Sequence, residues 1–207
     1  MTTYFFEQYA GYSVSLVILE IIAVVFGISS VLFARKNNIL VFPTGVVSTV
    51  LYVYILFKFK LYGDLIINIY YTFMSFYGWF LWSRTKNGVV EFPIDTVNKK
   101  EIYGAAVIFI STLLFIAAVY HTFDKFTHWT AIIDAFTTGL FFAGMWLMAK
   151  RKIENWIIWI IADVISIPLY FYKGLFFSSF QFLIFTIVAI YAYLEWKKYL
   201  QKTTLSK

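Results

Sequence analysis

The sequence predicts an all-α, polytopic membrane protein: seven transmembrane helices arranged as two parallel three-helix repeats joined by a linker helix. Three observations carry this prediction. Of 207 residues, 61% are hydrophobic and only 14% charged, against about half and about a quarter in soluble domains. The apolar residues gather into seven runs of about 20 residues, the length a helix rising 1.5 Å per residue needs to cross a bilayer. Those runs also recur at a fixed spacing, three before and three after a central one.

Taken in order, the spans run over about 13–34, 39–57, 62–83, 102–120, 129–149, 155–172 and 175–196. The second opens with Phe42-Pro43-Thr44-Gly45; proline is tolerated in a first helical turn, and Gly45 permits close backbone approach. Short basic or turn-like breaks separate the spans: RKNN at 35–38, KFK at 58–60, KRK at 150–152 and KG at 173–174. The long break, TKNGVVEFPIDTVNKKE at 85–101, mixes Gly, Pro, Asn and both charges and reads as a surface loop. The domains are therefore 1–84, the first repeat; 85–125, a loop and linker helix; and 126–207, the second repeat with a basic tail. The opening MTTYFFEQYAGYS lacks a basic n-region, so no cleavable signal peptide is expected.

Lysine and arginine orient the chain. With the N-terminus outside, the cytoplasmic segments hold thirteen of the 17 basic residues, among them Arg35, Arg84, Lys150, Arg151, Lys152 and the C-terminal lysines. Lys58, Lys60, Lys125 and Lys173 lie on the other side. The net charge of +6 thus marks cytoplasmic loops rather than a nucleic-acid partner, and the C-terminus is cytoplasmic. There is no cysteine, which excludes disulfides, thiolate ligands and cysteine nucleophiles. No HExxH or G-x-S-x-G occurs, and His121 and His128, with Asp124 between them, fit no zinc motif. Neither an enzyme nor a metal or organic cofactor is expected.

Sliding the sequence by 114 positions superposes Lys36 on Lys150, Ile39 on Ile153, Val50 on Val164, Tyr77 on Tyr191 and Trp82 on Trp196, with Glu20 on Asp134. Few positions are identical; the coincident span boundaries carry more weight. Three spans invert the chain and a fourth restores its direction, so both halves insert the same way up, with a substrate site expected at their interface near mid-membrane.

Asp163 stands near the middle of the sixth span, where a carboxylate costs about 2.5–3.5 kcal/mol on insertion scales. Trp156, Trp159, Ser166 and Tyr170 share its helix face by 3.6-residue spacing; Ile157, Ile161, Val164 and Ile165 form the opposite, aliphatic side. A structural bond to a neighbouring helix would satisfy the carboxylate. A wall for a flat organic cation would do so too, through ring quadrupole and charge together, and the two indoles favour it. Pro168 removes the donor for the Val164 carbonyl and is a kink candidate. Glu20 and Asp134 are either outer-leaflet acids with local partners or the lining of a cation-attracting vestibule. Asn68 with Tyr71, and Gln181, are ligand candidates or helix–helix contacts. Asn155 reads as the N-cap of the sixth span.

These residues carry a resemblance. ENWIIW at 154–159 with a carboxylate four residues on, LYFYKGL at 169–175, Tyr191 and Trp196 are similar to the second half of the PnuC family of vitamin transporters. FPTG at 42–45, KLYGD at 60–64 and YGWFLW at 77–82 resemble its first half; WTAIIDAFTTGL at 129–140 and MAKRKIENW at 148–156 fit as well. The resemblance implies a SWEET-like architecture in the bacterial cytoplasmic membrane and a homo-oligomer, a trimer. It implies uniport of nicotinamide riboside, trapped by phosphorylation in the cytoplasm, with thiamine, riboflavin or a proton-coupled mode as alternatives. It assigns substrate contact to Trp156, Trp159 and position 163. Family members often carry Asn there; Asp163 is a departure that suits a cationic ligand.

Overall fold

The computed structural model describes residues 14–59, 62–86, 89–122, 129–172 and 176–205. Among them run seven helices: α1 Val14–Arg35, α2 Val41–Lys58, α3 Tyr62–Ser83, α4 Lys99–Thr122, α5 Thr130–Ala149, α6 Glu154–Tyr172 and α7 Phe176–Leu205. A small hairpin, β1 Thr85–Lys86 against β2 Val89–Val90, precedes α4. All helices except α3 are apolar and long enough to cross a membrane. At 22 residues α3 is also long enough; Asn68, Thr72, Ser75 and its tyrosines dilute its apolar character. Exposed positions such as Ile18, Ile21, Val25, Leu114, Ile161 and Val164 are aliphatic, as surfaces facing lipid tails require. The chain is an integral membrane protein, with seven helices among the described residues. The seventh helix runs on to Leu205, past the hydrophobic span, because the polar tail keeps helical residues such as Lys197, Lys198 and Gln201. His121 and His128, with Asp124, have no described side chains, and Lys60, Leu61, Lys173, Leu175 and the first 13 residues also lie outside the described residues.

The chain divides into two compact units: unit 1 holds Met1–Ala34 and Asn38–Trp79, unit 2 holds Arg35–Asn37 and Phe80–Lys207. Unit 1 is closed by small residues. Ser48 Oγ donates to the Ala23 carbonyl at 2.8 Å, Ser30 Oγ to that of Val41 at 2.7 Å, and Thr72 Oγ1 to Thr49 Oγ1 at 2.8 Å. A Cβ on Gly45 would lie 3.1 Å from Ser30 Oγ and 3.4 Å from Ser75 Oγ, so glycine sets how closely the backbones approach. Lipid tails give helices no hydrophobic reason to associate; small side chains and hydroxyl bonds supply the contact instead. In unit 2, α5 packs against α4 and α6, and α6 against α7.

The shift of 114 positions lays α1, α2 and α3 onto α5, α6 and α7. Local geometry repeats at the same offset. Asn37 and Arg151 are the two non-glycine residues with positive φ among those described, at 52° and 54°. Each ends the first helix of its repeat with the same cap: Asn38 N–H donates to the Phe33 carbonyl and Lys152 N–H to that of Leu147, both at 2.9 Å. This six-to-one bond past a left-handed residue satisfies a carbonyl the helix end would orphan.

The 85–101 segment is not simply a surface loop. Ile94 is buried, and the Asp95 backbone donates to the Arg151 carbonyl and accepts from Ile153 N–H. Lys152 Nζ reaches Glu101 Oε2 at 3.1 Å and the Thr96 carbonyl at 3.1 Å, while Arg151 donates to the Phe92 carbonyl at 2.8 Å. Asn98 and Glu101 exchange side-chain and backbone bonds at 3.0 Å, a capping box that starts α4. The basic KRK turn thus folds the segment back, because buried cations need acceptors.

Candidate functional site

The face assigned to α6 by helical spacing is the one turned inward. Trp156 is wholly buried, Asp163 is 3% exposed and Ser166 is buried, while Ile157, Ile161 and Val164 on the other side are exposed. The helix continues through Pro168 to Tyr172. Asn155 is not the N-cap: α6 begins at Glu154, and Asn155, fully buried in the first turn, donates Nδ2 to the Lys152 carbonyl at 2.6 Å.

The three indoles of this region meet edge to face. Trp156 stands 5.4 Å from Trp159 at 85° and 5.5 Å from Trp196 at 89°, the arrangement ring quadrupoles favour. Trp156 Nε1 has no hydrogen-bond partner among the described residues. Trp159, by contrast, is only partly buried and its Nε1 donates to the Phe141 carbonyl on α5 at 3.4 Å. Across from it Phe182 of α7 stacks with Phe141, centroids 6.0 Å apart at 23°, and meets Tyr170 at 4.9 Å. Asp163 lies one turn beyond Trp159 on the same face, and among the described residues its carboxylate makes no hydrogen bond or ion pair. Ser166 does not serve it; its hydroxyl donates to the Ala162 carbonyl.

The other repeat supplies a reference for each position. Trp156 corresponds to Phe42, which is equally buried, so an aromatic plug there belongs to the packing of either repeat. Asp163 corresponds to Thr49, whose hydroxyl is bonded to Thr72. The counterpart of Thr72 is Thr186, which donates to the Phe182 carbonyl instead. The second repeat has therefore replaced a satisfied hydroxyl pair by a carboxylate.

The remaining candidates fall elsewhere. Gln181 is exposed; its neighbour Phe182 faces inward and is the residue that corresponds to Asn68. Asp134 is partly buried near the start of α5, its carbonyl accepting from Thr138 Oγ1 at 2.7 Å. In unit 1, Asn68 and Tyr71 are partly buried, and Glu20 lines a shallow groove on α1 with Val17, Ile21, Val24 and Val25. Phe141, Phe182 and Gly144 carry no mark in the sequence that distinguishes them from other aromatics and glycines. Among the described residues no cluster of acidic and histidine side chains could hold a metal ion.

The model of a family described as nicotinamide mononucleotide transporter matches residues 17–198. The chain belongs to this family. It is a membrane transporter, not an enzyme. Among curated proteins it is similar to the nicotinamide riboside transporter PnuC of Escherichia coli, 25% identical over 203 residues covering 87% of this chain and 84% of the relative. It is also similar to PnuC of Neisseria mucosa, 26% identical over 197 residues covering 87% and 72%. A third relative is the riboflavin/roseoflavin transporter RibM of Streptomyces davaonensis, 24% identical over 127 residues covering 59% and 58%. A crystal structure of the vitamin B3 transporter PnuC has the same fold, with TM-score 0.65 and 21% identity over 94% of this chain and 86% of that one.

Proposed function

We propose that this transporter carries nicotinamide riboside by facilitated diffusion across a bacterial cytoplasmic membrane, N-terminus outside and C-terminus inside, with phosphorylation in the cytoplasm trapping the product. The observation that carries the reading is Asp163: a carboxylate 3% exposed, beside an indole, with no partner among the described residues. A flat cation would give it a counter-charge and give the ring a face to cover. Trp159 stacks on the pyridinium, and Asp163 balances its charge or accepts from the ribose hydroxyls. Trp156 backs Trp159 from the core.

The riboside is favoured over its mononucleotide on the same ground. A phosphate would bring negative charge beside Asp163 and would have to shed its water. The two PnuC relatives are named for the riboside. Thiamine is the second reading, because its thiazolium is also a ring cation; riboflavin, which is uncharged, uses the carboxylate less well.

Calorimetric titration of the purified protein with the riboside, the mononucleotide, thiamine and riboflavin tests the substrate. The riboside is expected to bind tightest, and equal binding of all four would refute the role given to Asp163. Uptake into vesicles holding the riboside kinase and ATP is expected to survive collapse of the proton gradient; strict dependence on the gradient would establish a proton-coupled carrier instead.

A further inference from the structure

We propose that Gly144 is a positioning residue for substrate: it makes room for the indole of Trp159 and sets the plane that the ring offers to the ligand. The inference rests on the reading of Trp159 as the wall of the substrate site.

Gly144 lies buried in α5. A Cβ there would collide with Nε1 and Cδ1 of Trp159, the two ring atoms nearest to it. The indole therefore rests on bare backbone, and this is why its N–H reaches the Phe141 carbonyl, three residues earlier on the same helix. Trp156 holds Trp159 from a second direction, edge to face. One anchor fixes the N–H edge and the other fixes the tilt, so the ring plane is set before any ligand arrives. Preorganisation of this kind strengthens binding by removing the cost of ordering a large side chain.

Packing alone does not require this arrangement. In the first repeat the residues equivalent to Gly144 and Trp159 are Ser30 and Gly45, which also oppose each other, the Ser30 hydroxyl 3.1 Å from where a Gly45 Cβ would lie. The same helix crossing is thus closed there by a serine and a glycine. The second repeat moves the glycine to the first helix and puts an indole on the second. Gly104 and Gly139 also admit aromatic rings, Trp146 and Phe109, but these join α4 to α5.

The test uses full-length protein in nanodiscs, with Gly144→Ala, Trp159→Leu and the double variant titrated with nicotinamide riboside. Gly144→Ala is expected to weaken binding by about tenfold or more. The double variant is expected to bind no worse than Trp159→Leu alone, since the collision partner is gone. A second readout needs no ligand: the emission contributed by Trp159, taken as the difference from a Trp159→Phe protein, should shift in Gly144→Ala and stay put in Gly139→Ala. Unchanged affinity in Gly144→Ala, fully additive losses in the double variant, or an unmoved Trp159 emission would each overturn the proposal. Should the parent protein not bind the riboside, the substrate reading fails, and the emission arm alone decides the positioning role.

Discussion

Trp82 and Trp196, 114 positions apart, donate to carbonyls that are also 114 positions apart. Trp82 Nε1 bonds the Ala149 carbonyl at 3.0 Å and Trp196 Nε1 bonds that of Arg35 at 3.2 Å, all within unit 2. Each indole comes from the third helix of one repeat, and each acceptor ends the first helix of the other. The rings are 6.1 Å apart. Both carbonyls belong to helix ends, where no further turn can satisfy them, and both tryptophans are buried. Replacing either by phenylalanine keeps most of the apolar area and removes one bond. Trp82→Phe and Trp196→Phe are each expected to cost about 1–3 kcal/mol, the range for leaving a buried acceptor unpaired. Because the rings touch, the double variant should depart from additivity. Reversible unfolding in mixed micelles measures all three.

Two ion pairs at the basic turns should differ sharply in worth. Lys152 and Glu101 meet at 3.1 Å with side chains only 10% and 11% exposed, whereas Arg35 and Glu195, 2.5 Å apart, are about a third exposed. Breaking a buried pair strands a charge and costs about 3–5 kcal/mol; an exposed pair is worth about 0–1 kcal/mol. Glu101→Gln is therefore expected to destabilise by several-fold more than Glu195→Gln, even though Asp95 also reaches Lys152, at 3.4 Å. Only the Glu195→Gln effect should shrink further when salt is raised. Equal losses in unfolding free energy would show that the turn is solvated.

The left-handed residues give a paired comparison. Among the described residues Asn37 Oδ1 is buried without a partner, and Asn37→Gly removes it while keeping a residue suited to φ 52°. That variant is expected to be stabilised by up to about 1 kcal/mol. Arg151→Gly relieves the same backbone strain but loses the Phe92 bond and the guanidinium stacked 4.0 Å from the Trp82 ring, and is expected to be destabilised. Burial lowers the Arg151 pKa to about 10, so its cation pays a desolvation cost that the stacking offsets. Thermal midpoints of the two variants should move in opposite directions.

Much of this architecture was legible because length and polarity are strong signals in a membrane chain. Seven apolar runs and the offset of 114 came straight from the residues, and on α6 the sparse polar and aromatic side chains marked the inward face. On α7 that logic failed. The helix is apolar on every side, since lipid accepts the same residues as the core, so its pattern does not tell Gln181 from Phe182. Gly144 and Phe141 were illegible for another reason: each matters only through what another helix lays against it. The pairing of Phe92–Thr96 with the KRK turn was hidden likewise, because a Pro-containing polar segment looks alike whether it is solvated or clamped by buried lysine and arginine.

Asp163→Leu separates the two readings of the buried carboxylate. If Asp163 served the fold, as Thr49 does through Thr72, its removal would leave partners unsatisfied and weaken the protein. Its carboxylate has no partner among the described residues, and an aspartate at mid-span costs about 2.5–3.5 kcal/mol on insertion scales. Leucine is of similar size and removes that cost. The variant is therefore expected to unfold at a higher temperature than the parent while losing riboside binding, the trade that functional sites impose. On the proposed reading Asp163→Asn should fall between, keeping a hydrogen-bonding group for a ribose while losing the charge that would attract a pyridinium. Differential scanning fluorimetry and titration on the same preparations read both quantities. A lower midpoint for Asp163→Leu, with binding intact, would assign the carboxylate to the fold and remove it from the site.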